Sequence, residues 1–311
     1  MTGLIANESM KIYSRKLTWI LLGLLFVITA CAAVLGKESQ PNQADWRADT
    51  TKLIQKYEER LRITELSPTL RADAENKLKI AEYRLDHGLP APAANPWSAL
   101  LNASGLIEMV IVLVIIIAAD IVAGEYTGGT MKLLLIRPHS RSAVLFSKYI
   151  SVSLLALVML VLMVGTGYAV NALFYGPGRI HATDLFLNQQ GQVVQRNLPL
   201  QVIKMYGLSL FPVMGYVTLA FTISVILRSS ALAIGISLFL MIAGNAMIEA
   251  TAKLAWLKYL PFANSDVSLY IYHLPARPEM TLAFSLTVLL IYIIGLLVIS
   301  WSVFRRRDVS I

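Results

Sequence analysis

The sequence predicts an all-α polytopic membrane protein: six transmembrane helices, an N-terminal amphipathic helix and an external helical hairpin insert. Three observations carry this expectation. A hydrophobic fraction of 56% and a mean hydropathy of +0.63 over 311 residues are too apolar for a soluble domain. Several apolar runs reach the roughly 20 residues that a helix needs to cross about 30 Å of hydrocarbon. The long polar stretch between the first two runs repeats its apolar residues at helical spacing.

The N-terminal segment, residues 1–16, carries Leu4, Ile5, Met10, Ile12 and Tyr13 among Lys11, Arg15 and Lys16, the pattern of a short helix lying along a membrane surface. A first span follows at residues 17–36, with Trp19 near one interface and Lys37 at the other. Ile28-Thr29-Ala30-Cys31 resembles a lipoprotein cleavage site, but the long segment before it, which includes Glu8, argues against processing there. Residues 37–98 form an extracytoplasmic insert with ten basic and ten acidic residues, whose charges cancel. Within it Leu53, Tyr57 and Leu61 recur every four positions, Ser67-Pro68 restarts a helix, and Leu70, Ala74, Leu78, Ala81 and Leu85 continue the period to Gly88. The proline-rich stretch ending at Trp97 then leads back to the bilayer.

The second span is expected at residues 99–123 and contains Glu108 and Asp120. Charged groups in hydrocarbon are costly and mark function or a satisfied structural pair. Helical rise separates these two by about 18 Å, which excludes a catalytic pair. Asp120 reads as satisfied by water or by a nearby Lys or Arg. Glu108 either lines a path or bonds to a neighbouring helix, and Asn245 in the fifth span is the other candidate path residue. Further spans are expected at 143–174, 205–227, 231–250 and 281–304, separated by external loops at 175–204 and 251–280, with a tail at 305–311. Gly165 and Gly167 permit close helix approach in the third span, and Pro212 implies a kink in the fourth.

The loop at residues 124–142 is unusual, because it lies between two spans yet holds its own apolar cluster. Thr127 and Thr130 can cap a helix, Met131 to Ile136 supply one or two turns, and Pro138 ends them. Ser140 can cap the next helix, which rises with Arg141 and Lys148. Leu133 to Ile136 are consecutive, so they cannot share one helix face, and some must meet lipid or another protein. Six spans put both termini on one side. Its short segments, with this loop, Arg228 and Lys148 just beyond the loop, hold eleven Lys and Arg against six in the opposite short loops, which predicts that the termini and the loop are cytoplasmic.

The formal charge of +8 sits in small groups beside apolar runs rather than in one basic stripe, which argues against nucleic acid as a partner. Cys31 is the single cysteine, so neither an intrachain disulfide nor a cysteine-based metal site is expected. His87, His139, His181 and His273 show no paired spacing, and no metal site is expected from them. No phosphate-binding Gly-x-x-x-x-Gly-Lys-Ser/Thr loop, His-Glu-x-x-His or Gly-x-Ser-x-Gly occurs, so the chain is not expected to be an enzyme by those mechanisms.

The run Gly124-Glu125-Tyr126-x-x-Gly129-Thr130-Met131-Lys132-x-Leu134-Leu135-x-x-Pro138-x-Ser140-Arg141, followed by Lys148, resembles the cytoplasmic loop of permease subunits in the type-2 class of ATP-binding-cassette exporters. The basic amphipathic start, the six-span layout and Arg228-Ser-Ser-Ala-Leu-Ala-Ile-Gly235 are similar too. The resemblance implies a permease in the bacterial cell membrane that pairs with a second permease copy, as a homodimer or related heterodimer, and binds cytoplasmic ATPase subunits. It implies no cofactor on this chain, with ATP and magnesium on the partner. In that reading Met131 to Ile136, Leu134 and Leu135 among them, press into a groove on the ATPase, Glu125 and Arg141 hold the loop ends, and Lys132 or Arg137 pair with acidic rim residues. Thr130 and Pro138 bound the coupling helix. Two alternatives stay open: a stand-alone secondary transporter or channel using Glu108 or Asp120, and a non-transporting membrane sensor or resistance component. The substrate is not legible.

Overall fold

The computed structural model describes residues 1–38, 45–63, 66, 68–90, 92–129, 140–188, 190–227, 229–250, 254–272, 274, 277 and 279–306. Among them, six helices are long and apolar enough to cross a membrane. They are α2 (Lys16–Glu38), α6 (Leu106–Thr127), α7 (Arg141–Tyr175), α8 (Leu198–Ile226), α9 (Ser230–Ala250) and α11 (Leu282–Arg306). The bundle therefore has a terminal face, which holds α1 (Thr2–Ser14), and an insert face, which holds α3 (Trp46–Leu61) and α4 (Pro68–Asp86). The chain is an all-α multi-pass membrane protein.

Burial shows which spans form the core. In α6 and α8, 61% of the apolar window is buried, against 17% in α11 and 22% in α9. The sequence of α6 explains its position: Val110, Val114, Ala118 and Val122 recur every four residues and all reach zero exposure. Small hydroxyls then tie α6 and α8 to their neighbours without exposing polar surface. Ser224 Oγ in α8 accepts from the Val122 and Ala123 amides at 3.1 and 3.0 Å. Tyr149 in α7 meets Thr218 in α8 at 2.9 Å, and Ser300 in α11 donates to Thr222 at 2.9 Å.

The observed elements depart from the expected segments in three places. The second span is not one helix from residue 99: α5 (Pro96–Asn102) ends in a turn at residues 103–105, and α6 then runs on to Thr127, four residues into the segment expected as loop. A capping box sets the start of α5, with Asn95 Oδ1 accepting from the Trp97 and Ser98 amides at 3.0 Å and the Asn95 amide donating to Ser98 Oγ at 3.4 Å. The fourth span starts at Leu198 rather than 205, because Asn197 Oδ1 accepts from the Leu200 amide and Pro199 occupies the first turn, where a missing N–H costs nothing. It continues as one helix through Pro212.

The third departure lies in the loop expected at residues 175–204, which contains a β-hairpin. Strand β1 (Thr183–Leu187) pairs antiparallel with β2 (Val193–Asn197), in a register that sets Thr183 opposite Asn197 and Leu187 opposite Val193. Asn188 Oδ1 closes the turn by accepting from the Gln190 and Gln192 amides, and Gly191 supplies the positive φ of 71°. Arg84 of α4 forms an ion pair with Asp184 of β1 and so joins the insert to the hairpin. Two 3-10 turns, Ala255–Tyr259 and Pro261–Asn264, and the short α10 (Ser268–Ile271) complete the insert face.

Candidate functional site

The terminal face gathers buried charge. Helix α7 is 35 residues long, about 52 Å by helical rise, so it exceeds the roughly 30 Å of hydrocarbon by several turns. Lys148 lies two turns from its start on the stripe Val144, Lys148, Ser151 and Leu155, all of them buried. Its exposure is 0%, and an ammonium cannot be held there without partners. Two carboxylates supply them: Glu8 Oε2 from α1 at 2.8 Å and Glu125 Oε1 from α6 at 2.6 Å. Lys11 closes the cluster, 2.9 Å from Glu8 Oε1 and 3.1 Å from Glu125 Oε1. Two lysines and two glutamates cancel, with three helices held at one point.

Helix α1 is positioned for this by its own spacing. Glu8, Lys11, Ile12 and Arg15 fall on one face at intervals of three and four residues, and Glu8 and Ile12 are its buried members. Ser151 of α7 adds a bond to the Ile5 carbonyl at 3.2 Å. The extended backbone of Arg15 (φ −79°, ψ 129°) then separates α1 from α2, and Thr18 Oγ1 closes the corner by donating to the Ile12 carbonyl at 2.6 Å.

More than one turn back along α6 from Glu125, Asp120 binds Arg15 and accepts from Ser230 at the start of α9. Gly124 makes room for this. A Cβ there would sit 2.6 Å from Asp120 Oδ1, inside contact distance of a group already held by two partners. The expectation that a nearby Lys or Arg satisfies Asp120 thus has a named partner, Arg15.

The other candidate residues are dispersed. Glu125 is buried in the cluster, and Arg141 opens α7 with a guanidinium bond to the Arg305 carbonyl at 3.5 Å, beside the Trp301 indole that donates to Ser142 at 3.0 Å. Thr130, Met131, Lys132, Leu134, Leu135, Arg137 and Pro138 lie outside the described residues. Glu108 is exposed in the first turn of α6, where the helix dipole favours a carboxylate, and so it sits at the insert end of the span. Asn245 of α9 accepts from the Tyr216 hydroxyl at 3.2 Å, and Tyr216 lies within electrostatic reach of Glu108. Glu8, Lys11, Arg15 and Ser230 were not singled out as site residues from sequence. The available signal was Lys148 itself, a cation on an apolar helix face that must recruit an acid from elsewhere in the chain.

Three outcomes test the cluster. Lys148→Met leaves two buried carboxylates to one lysine and is expected to cost about 3–5 kcal/mol, read as a lower unfolding midpoint in detergent, with part of the loss recovered in Lys148→Met/Glu125→Gln. Gly124→Ala in a helix interior ordinarily gains about 1 kcal/mol; here it should lower the midpoint, and raise it only in an Asp120→Ala background. A midpoint raised in both backgrounds would show that Gly124 makes no room for Asp120.

The third concerns pH. Burial opposes ionisation of Glu8, but Lys148 and then Lys11 outweigh it and hold its carboxyl below the ordinary 4.5. Burial likewise disfavours charged Lys11, but bonds to Glu8 and the charge of Glu125 outweigh it and raise Lys11 above 10.5. A lowered acid stabilises docking above its unfolded value and ceases to do so as pH falls through the folded one; a raised base does so below its unfolded value and ceases as pH rises through the folded one. Docking of α1 is therefore expected to hold from pH 4.5 to 10.5 and to fail on both sides. A nitroxide on Met10→Cys in a Cys31→Ser background should gain mobility only outside that window.

This chain is similar to two proteins of Bacillus subtilis, one of which is described as a membrane protein. It is 33% identical over 313 aligned positions, spanning 100% of both chains, to a protein of Bacillus subtilis (strain 168) described as uncharacterized protein YhcI. Over 203 positions, 64% of this chain and 77% of the relative, it is 30% identical to the uncharacterized membrane protein YdbK of the same organism. The family model described as protein of unknown function (DUF2705) matches residues 75–310, and the chain belongs to that family.

Proposed function

We propose that this chain is the membrane-spanning permease subunit of an ATP-driven exporter, and that it couples a translocation path to separate cytoplasmic ATPase subunits. The observation that carries the reading is the Lys148, Glu125, Glu8 and Lys11 cluster. It fastens α6 and α7, the helices on either side of the central loop, to each other and to α1. A force on that loop is then delivered to three helices as one body, because separating them exposes or strands buried charge. The basic excess of the terminal face supports a cytoplasmic orientation for this apparatus. The apolar run Leu133 to Ile136 supports a protein partner there, and the lack of a phosphate loop in the chain agrees with hydrolysis on that partner. The weakly buried faces of α9 and α11 leave surface for a second permease copy and for lipid.

The test is affinity purification of the full chain from its native membrane in mild detergent, followed by identification of bound proteins and an ATPase assay. A stoichiometric subunit bearing a phosphate loop is expected, and Leu134→Asp should remove its stimulation by the permease while membrane insertion is unchanged. A folded chain purified alone would shift the reading to a secondary transporter or sensor. Full stimulation in Leu134→Asp would remove the loop from the coupling role.

A further inference from the structure

The terminal face holds more positive charge than its buried pairs use. By sequence that side carries eleven Lys and Arg, Lys148 included, against four acids, Glu8, Asp120, Glu125 and Asp308. Three of the four are engaged within the bundle: Glu8 and Glu125 by Lys148 and Lys11, and Asp120 by Arg15. A surplus of this size at the edge of hydrocarbon attracts counter-charge from outside the chain.

Two of the surplus cations have a defined place. Arg305 and Arg306 end α11, both are exposed, and neither forms an ion pair among the described residues. The Arg305 guanidinium carbon lies 5.3 Å from the centre of the Trp301 ring, one turn back along the helix. The Arg305 carbonyl accepts from Arg141 Nη1 at 3.5 Å, which brings a third guanidinium from the foot of α7 to the same corner. Trp301 Nε1 donates to Ser142 Oγ at 3.0 Å, so the indole is fixed at the level where α7 begins.

The surface next to this corner is apolar. Ile291, Ile294, Val298, Trp301 and Arg305 follow one another at intervals of three and four residues, so they share one face of α11, and the three aliphatic members are exposed. From Arg305 to Ile294 the helix rises about 16 Å, close to half of the roughly 30 Å of hydrocarbon. The stripe therefore covers one leaflet, and the ring and the guanidinium groups stand where the headgroups of that leaflet lie.

We propose that this corner binds an anionic phospholipid of the bilayer, with its phosphodiester at Arg305, Arg306 and Arg141 and an acyl chain along Val298, Ile294 and Ile291. A guanidinium suits that group because its N–H donors pair with two oxygens of one phosphate. A free phosphate would gain the charge but not the apolar stripe, and a zwitterionic lipid would bring its own cation beside the arginines. Positive-inside bias accounts for the sign of the terminal charge, but not for its alignment with a fixed indole and an exposed stripe one leaflet long. The site does not depend on the exporter reading.

The experiment is native mass spectrometry of the full chain, titrated in mild detergent with phosphatidylglycerol or with phosphatidylcholine of the same acyl chains. Preferential retention of phosphatidylglycerol is expected. Each arginine beside an anionic lipid contributes about fivefold in affinity, so Arg305→Gln/Arg306→Gln should weaken retention about thirtyfold, while Arg305→Lys/Arg306→Lys keeps most of it. The unfolding midpoint of the Gln variant without lipid should match the parent's, because both side chains are exposed. Arg179→Gln/Lys204→Gln removes the same charge from exposed positions on the insert face and should leave retention unchanged. Equal retention of the two lipids by the parent, or an equal loss in the insert-face variant, overturns the site. Displacement of the lipid by millimolar inorganic phosphate would make it a free-anion site and overturn the part given to the stripe. Unchanged retention in Arg305→Gln/Arg306→Gln, with loss of a co-purifying protein instead, would assign the arginines to a protein partner and overturn the lipid.

Discussion

A lysine with no exposed surface governs the terminal half of this protein. Lys148 must be neutralised where it lies, and the acids that do so come from residues 8 and 125, far apart in the chain. That requirement decides what α1 does. A basic amphipathic helix at a membrane surface can lie anywhere its apolar side is covered, but one whose Glu8 completes a buried ion cluster has one position and one register. The remaining contacts follow from this docking. Arg15 is brought to Asp120, Ser230 approaches the same carboxylate, and Gly124 stays without a side chain so that the carboxylate can remain there. The net contribution of such a cluster to stability is small beside the cost of breaking it, so its chief effect is to specify geometry.

The two faces of the bundle are held by different physics. On the terminal face charge is buried, and the arrangement depends on ionisation. On the insert face the joins are mostly neutral and steric: a Cβ on Gly178 would lie 2.6 Å from the Trp97 indole nitrogen, and one on Gly244 would lie 2.5 Å from the Phe262 ring. Asn264 donates to the carbonyls of Lys258 and Leu260 and accepts from Ser285, knitting the 3-10 turns to α11. Burial, with Asp73, Asp184 and Asp266 adding to it, pushes the Tyr272 hydroxyl up to about 12, so it stays neutral. The Arg84 and Asp184 pair is the main ionic link there, and it joins the insert to the hairpin rather than span to span.

What could be read from the sequence follows the range of the interaction concerned. The six spans and the helical insert were legible because they rest on local hydropathy and on a period of three to four residues. The start of α8 was not, although Asn197 and Pro199 were visible, because hydropathy outweighed a cap and a first-turn proline in setting that boundary. The hairpin at residues 183–197 is hidden for a similar reason: its alternation is short, and Asn188 and Gly191 suit an irregular loop as well as a hairpin turn. The ionic cluster lies beyond any local signal. Glu8 and Lys11 look like ordinary surface charge three residues apart, and only the contact of Glu8 with Lys148 across 140 positions makes Glu8 core, while Lys11 stays partly exposed at its side. The apolar character of residues 131–136 was plain from sequence, but those positions lie outside the described residues.

The arrangement also bears on how movement at one face could reach the other. Helices α1, α6 and α7 share buried charge, so on the exporter reading they move together. Helix α2 is joined to them differently, through the extended backbone of Arg15 and through packing along α7. A displacement of the charged group that leaves α2 held by lipid would therefore change the spacing between α2 and α6. The Arg15 and Asp120 pair opposes that change, because it ties the foot of α2 to α6. Its side chains are partly exposed, so it is the weaker of the two ionic contacts and the one that yields first. The same charges that hold the terminal face rigid thus leave one joint, at residue 15, about which the first span can turn.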